Sequence, residues 1–414
     1  MTTRRTFLLA ALGLLAASCG DGDSGPPGDA ARINAELVAD LRPGDARAVA
    51  EAVDAFGFDL MREVAASGRN TVISPVSVAA LLALLLAGAG GETARAMGKV
   101  LHLADSRDVR VGALLRTLAD TEDVTLDVSN ALWAAEGLRL REDYRTYAER
   151  TFGATVDQAD FAAPETAREI DHWVDERTHG RIDKIAEDLG LPDPAVLVVL
   201  VNAVYFLGKW TFPFRPEDTR DEDFQLAPGQ SAKVPMMNGG ARLDHAQRYG
   251  YQMLRLPYGK SKRYGMEILL PDLSSDGLPA LLDQLDLDEW RAAVGALTGT
   301  EVGELALPRF ELTWSRRLND SLRALGMGPA FAGDVDFSRM TAERGALDVV
   351  AHKTYIRVDE KGTEAAAVSG GSVLTSEPAI PPLVFRVDRP FAFTISDRTT
   401  GAVLFLGAVN DPRG

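Results

Sequence analysis

The chain of 414 residues has one cysteine, Cys19, so no intrachain disulfide can brace it. Histidine is scarce too, at His102, His172, His179, His245 and His352. None of the five shows ligand spacing. His172 and His179 stand seven apart on one predicted helix, with no cysteine or third ligand nearby, so no metal or cofactor is expected. Catalytic signatures are missing as well: there is no Gly-x-Ser-x-Gly elbow, no glycine-rich phosphate loop and no His-Glu-x-x-His. A Ser/His/Asp triad assembles from distant residues, so the missing motifs weigh against an enzyme without closing that question. Basic charge is also short, with 44 Lys and Arg against 60 Asp and Glu and a net charge of −16. That excess of acid argues against nucleic acid or an anionic membrane surface as a partner.

The N-terminus carries no apolar run long enough to span a bilayer, yet it is patterned. Thr3-Arg4-Arg5-Thr6-Phe7-Leu8-Leu9 places paired arginines before a short apolar run ending at Ala17. The pair resembles a twin-arginine export signal, and Leu15-Ala16-Ala17-Ser18-Cys19-Gly20 resembles a lipobox with Ala16 where leucine is usual. Residues 1–19 therefore read as an export signal ending in a lipidated Cys19, and residues 20–45, rich in Gly, Asp and Pro, as a flexible tether. The expected product is a membrane-anchored lipoprotein facing the periplasm or cell exterior, or a secreted protein.

Residues 46–412 show no internal repeat and no linker. Val49, Val53, Phe56, Leu60 and Val64 recur at helical spacing between Asp45 and Ser67. Ser74 can cap a helix whose first turn holds Pro75 and which stays apolar nearly all round to about Ala89, so it should be buried. Helices are expected around 92–103, 109–119, 143–152, 163–179, 277–285, 288–297 and 315–325. Strand patterns occur at 125–134, 232–238, 249–256, 264–270, 302–312, 347–358, 383–387 and 391–409, the last broken near Arg398–Gly401. The run from Ala195 to Phe206 is apolar on both faces and belongs in the centre of a covered sheet. Helices early and antiparallel-type strands late make this one α+β domain.

One stretch stands apart. Residues 359–378 are small and polar, with almost no apolar bulk, and read as an exposed loop. Composition alone suits a helix or a linker. Drawn as a strand, however, Thr363, Ala365, Ala367 and Ser369 share one small, uncharged face that could enter an existing sheet without clashing.

Nine landmarks in order then resemble the serpin family across residues 46–412. They are Asn70–Ser77, Leu200–Trp210, Phe212-Pro213-Phe214, Val234-Pro235-Met236-Met237, Met266–Pro271, Leu307-Pro308-Arg309-Phe310, His352-Lys353, Glu360–Ala367, and Asp388–Phe391 running on to Leu404–Val409. The resemblance implies a serpin fold of three β-sheets and about nine helices, with an exposed reactive-centre loop at about 360–382. It also implies a monomer that acts as a suicide inhibitor of serine proteases. The protease forms an acyl-enzyme, the cleaved loop inserts into the main sheet, and the trapped enzyme is distorted. On this resemblance the hinge is Gly362, Thr363, Glu364, Ala365, Ala366, Ala367 and Val368. The breach is Glu360, Arg309 and Trp210, and the shutter is Ser74, Ser77, Asn202 and His352. Counting the family's usual spacing from Glu360 gives cleavage between Ser376 and Glu377, whereas counting back from Pro390 falls nearer Ala379, and Leu374–Thr375 is a third choice. None offers Arg or Lys, so elastase-, subtilisin- or chymotrypsin-like targets are expected over trypsin-like ones. Gly370-Gly371 is poor strand material, which keeps a non-inhibitory binding or chaperone-like role open.

Overall fold

The structure is a computed structural model that describes residues 43–414 apart from 66–67, 105–106, 120–123, 334, 344–346, 348 and 364–380. Cys19, the export signal, hinge residues 364–368 and all the scissile-bond alternatives (Leu374, Thr375, Ser376, Glu377, Ala379) lie outside the described residues. In chain order the elements begin with α1 (Pro43–Val64), β1 (Thr71–Ile73), α2 (Pro75–Gly88), α3 (Gly91–Val100), α4 (Arg110–Ala119), β2 (Val124–Ala135), α5 (Glu142–Phe152) and β3 (Thr155–Ala159). Next come α6 (Pro164–Arg177), α7 (Ala186–Leu189), β4 (Val198–Lys209), β5 (Arg220–Ala227), β6 (Gln230–Arg248), β7 (Tyr251–Pro257) and β8 (Tyr264–Pro271). The chain ends with α8 (Gly277–Gln284), α9 (Leu287–Ala296), β9 (Thr298–Pro308), β10 (Phe310–Arg317), α10 (Asn319–Leu322), β11 (Val349–Asp359), β12 (Gly362–Thr363), β13 (Leu383–Arg386), β14 (Phe391–Asp397) and β15 (Val403–Val409). Among the described residues this is an α+β fold with ten α-helices against about nine expected.

Two of the three expected sheets are continuous in hydrogen bonding, because the long strand β6 belongs to both. Its N-terminal part lies between β5 and β9, its C-terminal part pairs with β7, and a register shift between Gly239 and Ala241 marks the change. The result is one assembly in the order β1-β15-β14-β8-β7-β6-β9-β13, with β5 also on β6. The other sheet runs β10-β11-β12-β4-β2-β3.

Alternation along β4 explains how that second sheet is covered on both faces. Val198, Leu200, Val204 and Phe206 point into the main core, while Val199 and Val201 join a separate cluster with Ile170 and Val174 of α6. Helix α2 is buried along its whole length and lies against β4 on one side and β15 on the other. An all-apolar helix is stable only in such a place.

Several expectations need correction. Residues 43–45 are helical, so the proposed tether overlaps the first turn of α1, where proline is well tolerated. Ser74 precedes α2 in extended conformation, but its side chain makes no cap bond. The strand expected at 302–312 is two strands, β9 and β10, separated at Arg309. The helix expected at 315–325 starts only at Asn319, because Ser315–Arg317 stay paired with β11; after Leu322 it runs on as a π turn over Arg323–Met327, interrupted by Gly326 at φ 111°. His179 lies beyond the end of α6 rather than on it, with φ 52°. Finally, the stretch expected to be an exposed loop starts inside the fold, with Asp359, Glu360 and Thr363 all buried.

Candidate functional site

Strands β4 and β11 are neighbours, but their ladder is short: they pair in parallel at Val349 with Val199 and at Val350 with Leu200. At the opposite end β12 sits between them, with Thr363 opposite both Gly208 of β4 and Val358 of β11, antiparallel to each. A seam therefore runs down the sheet, wedged at the top and closed at the bottom.

The wedge is held by a dense set of contacts. Glu360 accepts hydrogen bonds from Arg309 Nη2 and from Thr219 Oγ1, the latter at 2.7 Å. Burial pushes the Glu360 carboxyl up, and the bonds from Arg309 and Thr219 outweigh it, so the group stays below the usual carboxylate range. Trp210 donates its indole N–H to Asp359 O at 2.9 Å and stacks on Tyr258 with centroids 4.5 Å apart. Tyr258, wholly buried, shares a 2.6 Å hydrogen bond with Thr363 Oγ1. Gly362 has φ 151°, and a Cβ there would fall 2.0 Å from Gly208 O, so only glycine fits the turn into the seam. The structure thus brings the three predicted breach residues to the first two hinge residues. Thr219 and Tyr258 were not anticipated; a tyrosine inside the turn-forming Pro257-Tyr258-Gly259 was the available signal.

Below the wedge lies a buried polar cluster. Ser74, Ser77, Asn202 and His352 are each at most 1% exposed and do converge. Ser77 Oγ donates to Asn202 Oδ1, and the Ser74 amide donates to His352 Nε2 at 3.0 Å. Asn130, missed in the sequence, completes the cluster: it stands opposite Asn202 in the register and accepts from Asn202 Nδ2 at 2.9 Å. An asparagine in mid-strand, on the same face as Val128 and Leu132, was the clue. Among the described residues, Ser74 Oγ, Asn130 Nδ2 and His352 Nδ1 are buried without a hydrogen-bond partner. Desolvation pushes the His352 imidazole down to about 3, so it is neutral at physiological pH. The other histidines do not gather: His102 meets Asp59, His172 meets Glu176, His179 meets Asp127 and His245 meets Gln252. No group of three or more metal-ligating side chains exists among the described residues.

Two outcomes follow from this geometry. An unfolded histidine takes up its proton near pH 6.5, whereas His352 in the fold does so only near pH 3. Between those values the unfolded chain holds the extra proton, so stability should fall on acidification below about pH 6.5, by up to ~1.4 kcal/mol per pH unit. Denaturant midpoints measured from pH 7.5 to 5 should show this fall, and His352→Gln should lack that component. Separately, Gly362→Ala should unseat β12 and lower the thermal midpoint by several degrees, and an unchanged midpoint would show that β12 is not held as described.

A family model described as serpin (serine protease inhibitor) matches residues 51–412. The chain is 36% identical over 389 residues to an uncharacterized serpin-like protein of Thermococcus kodakarensis, covering 90% of this chain and 88% of that protein. It is 31% identical to the leukocyte elastase inhibitor of Xenopus tropicalis, across 86% of this chain and 97% of the inhibitor. Among solved structures it resembles tengpin, a thermophilic serpin in its native state, with a TM-score of 0.79 at 27% identity, over 88% of this chain and 94% of tengpin. Its two sheets, its wedged seam and these likenesses together make the chain a member of the serpin family, whose members are mostly protease inhibitors rather than enzymes.

Proposed function

We propose that this serpin is a suicide inhibitor of serine endopeptidases, cleaved in its loop and trapping the protease by inserting that loop into the seam. The observation that carries the reading is the seam itself. Among the described residues, two strands of one sheet meet directly at two residue pairs, while the first residues of the hinge already occupy the space between them at the other end. From Thr363 to Ser376 the chain could extend on the order of 45 Å at ~3.3 Å per residue, enough to carry a bound protease across the domain. Small side chains at Ala365 and Ala367 avoid overpacking beneath the sheet, a misfit that typically costs about 1–3 kcal/mol.

Register adds a further reason. Continued antiparallel past Thr363, the strand brings Ser369 opposite Asn202 on one side and His352 on the other. Strand alternation turns its hydroxyl toward the core, as it does for Thr363, beside the unpartnered polar atoms of the buried cluster. Insertion would then supply partners where the native state lacks them.

The target we infer is elastase-, subtilisin- or chymotrypsin-like, because Ser376, Leu374 and Ala379 are small or apolar. The acyl-enzyme with that protease is the expected covalent partner, and the inhibitor acts as a monomer. Export through the signal in residues 1–19, followed by lipidation at Cys19, would place it on the membrane outside the cytoplasm or release it as a secreted protein. A second reading, a non-inhibitory binding or chaperone-like serpin, is favoured by Gly370-Gly371 alone, since glycine slows strand formation.

Incubation with elastase, subtilisin and chymotrypsin should yield an SDS-stable complex with at least one of them, and mass spectrometry of the released peptide should fix the scissile bond. Cleavage without complex by every protease would leave the non-inhibitory reading. Thr363 is buried already, so the hinge is better probed at Ala367. Ala367→Arg should convert inhibitor into substrate, raising the stoichiometry of inhibition at least tenfold without unfolding the domain. For the anchor, Cys19→Ala should leave the membrane fraction, and its retention there would remove the lipoprotein proposal.

A further inference from the structure

Lysine is scarce in this chain and unevenly placed. Four of its eight lysines, Lys209, Lys260, Lys262 and Lys361, fall on three backbone segments that meet at the wedge. Lys209 ends β4 and stands opposite Gly362 in the register. Its carbonyl accepts the Gly259 amide at 2.8 Å, which brings in the β7–β8 turn with Lys260 and Lys262. Lys361 leads into β12, and its carbonyl accepts the Trp210 amide at 2.9 Å. In a protein with a net charge of −16 this is a local reversal of sign. Lys233 pairs with Asp223 and Lys353 with Asp188, whereas Lys209, Lys262 and Lys361 make no ion pair among the described residues. The two acids next to Lys361 are already engaged. Glu360 binds Arg309 and Thr219, and Asp359 takes Arg357 and the Lys361 amide.

Two details distinguish this surface from scattered charge. Lys262 has φ 56°, a left-handed conformation that lysine keeps only where its surroundings hold it. Arg398 Nη1 donates to its carbonyl at 3.2 Å, and its ammonium group stands 5.1 Å from the centroid of the Phe212 ring. Phe212 is itself 41% exposed, unusual for so large an apolar side chain in this fold. It also borders a notch of about 50 Å³ lined by Pro213, Gly239, Gly240 and Pro257. At ~30 Å³ per water in the liquid, such a notch takes the edge of a ring or a short branch and excludes an acyl chain. Size is limited from outside as well. A long polyanion would reach past the lysines onto an acidic surface, whereas a small anion feels the local charge within about a Debye length, ~8 Å at physiological salt.

We propose that Lys209, Lys262, Lys361 and Phe212 form a binding site for a small organic anion, with its carboxylate or phosphate among the ammonium groups and its apolar part against Phe212 and the notch. Lys209 and Lys361 flank Gly362, so an occupied site would also cover the point where the loop enters the seam. That consequence rests on the insertion reading above; the binding itself does not.

The test titrates the intact protein with phenyl phosphate, phenyl acetate's acid (phenylacetate), inorganic phosphate and benzyl alcohol, read by calorimetry and tryptophan fluorescence. Phenyl phosphate or phenylacetate should bind with a Kd on the order of 1 mM, as befits so small a ligand, and inorganic phosphate and benzyl alcohol at least about tenfold more weakly. Lys209→Ala and Lys262→Ala should each weaken the better ligand about three- to tenfold. Phe212→Leu, which keeps the bulk and loses the ring, should weaken it toward inorganic phosphate, and Lys233→Ala should leave it unchanged. No binding to the parent, binding that neither lysine variant changes, or inorganic phosphate binding as tightly as the better ligand would each overturn the site. A second measurement follows uptake of an acetylated peptide of residues 363–376 by native gel, which a saturating ligand should slow about threefold or more. Unchanged uptake with binding intact removes the effect on loop entry and leaves the site. A parent that takes up no peptide and forms no protease complex removes the insertion reading, and the binding result stands on its own.

Discussion

Everything in this fold turns on how little joins β4 to β11. Two strands at the centre of a sheet would ordinarily share a ladder along their length, and these share two residue pairs among the described residues. Cohesion is supplied from outside the pair instead. The wedge of β12 holds the top, the buried polar cluster ties each strand to the region of α2 beneath, and the α6–α7 connection covers the bottom. A sheet built this way is closed by its surroundings rather than by its own hydrogen bonds.

The polar cluster beneath the seam is the least expected part of so apolar a core. A buried polar atom without a partner typically costs about 1–3 kcal/mol, and three such atoms lie within this group among the described residues. A domain stable by a margin of only about 5–15 kcal/mol feels a deficit of that size. The native arrangement is therefore poised, because a polar group arriving in the seam would find donors and acceptors already waiting. Neutrality of His352 is part of the same balance, since a charged imidazole could no longer accept the Ser74 amide and would stand desolvated in the core.

Much of the architecture was legible in the sequence, for identifiable reasons. An unbroken apolar run forced β4 into a doubly covered position, and an uncharged apolar helix had nowhere to go but between the two sheets. The failures are equally specific. β5 opens Arg220-Asp221-Glu222-Asp223, and its charges hid a strand that the register with β6 makes plain. β1 is three residues long, too short for any period to show. The helix expected from Ser315 onward was overruled by pairing with β11, a long-range contact that local propensity does not see. Of the site, periodicity alone showed only a strand-like face at Thr363, Ala365, Ala367 and Ser369. Shutter and breach came through the family resemblance, and their full membership, with Asn130, Tyr258 and Thr219, needed the fold. Those three reach their partners across long stretches of chain, where no spacing rule applies.

The direction in which the strands run has a consequence of its own. β4 and β11 point the same way, and theirs is the one parallel junction between β10 and β2. Parallel pairing is slightly the weaker kind per residue. Any strand that enters from the β12 end is antiparallel to both neighbours, so it erases that junction and leaves an alternating sheet from β10 to β2. Chain polarity thus adds a small preference for a filled sheet.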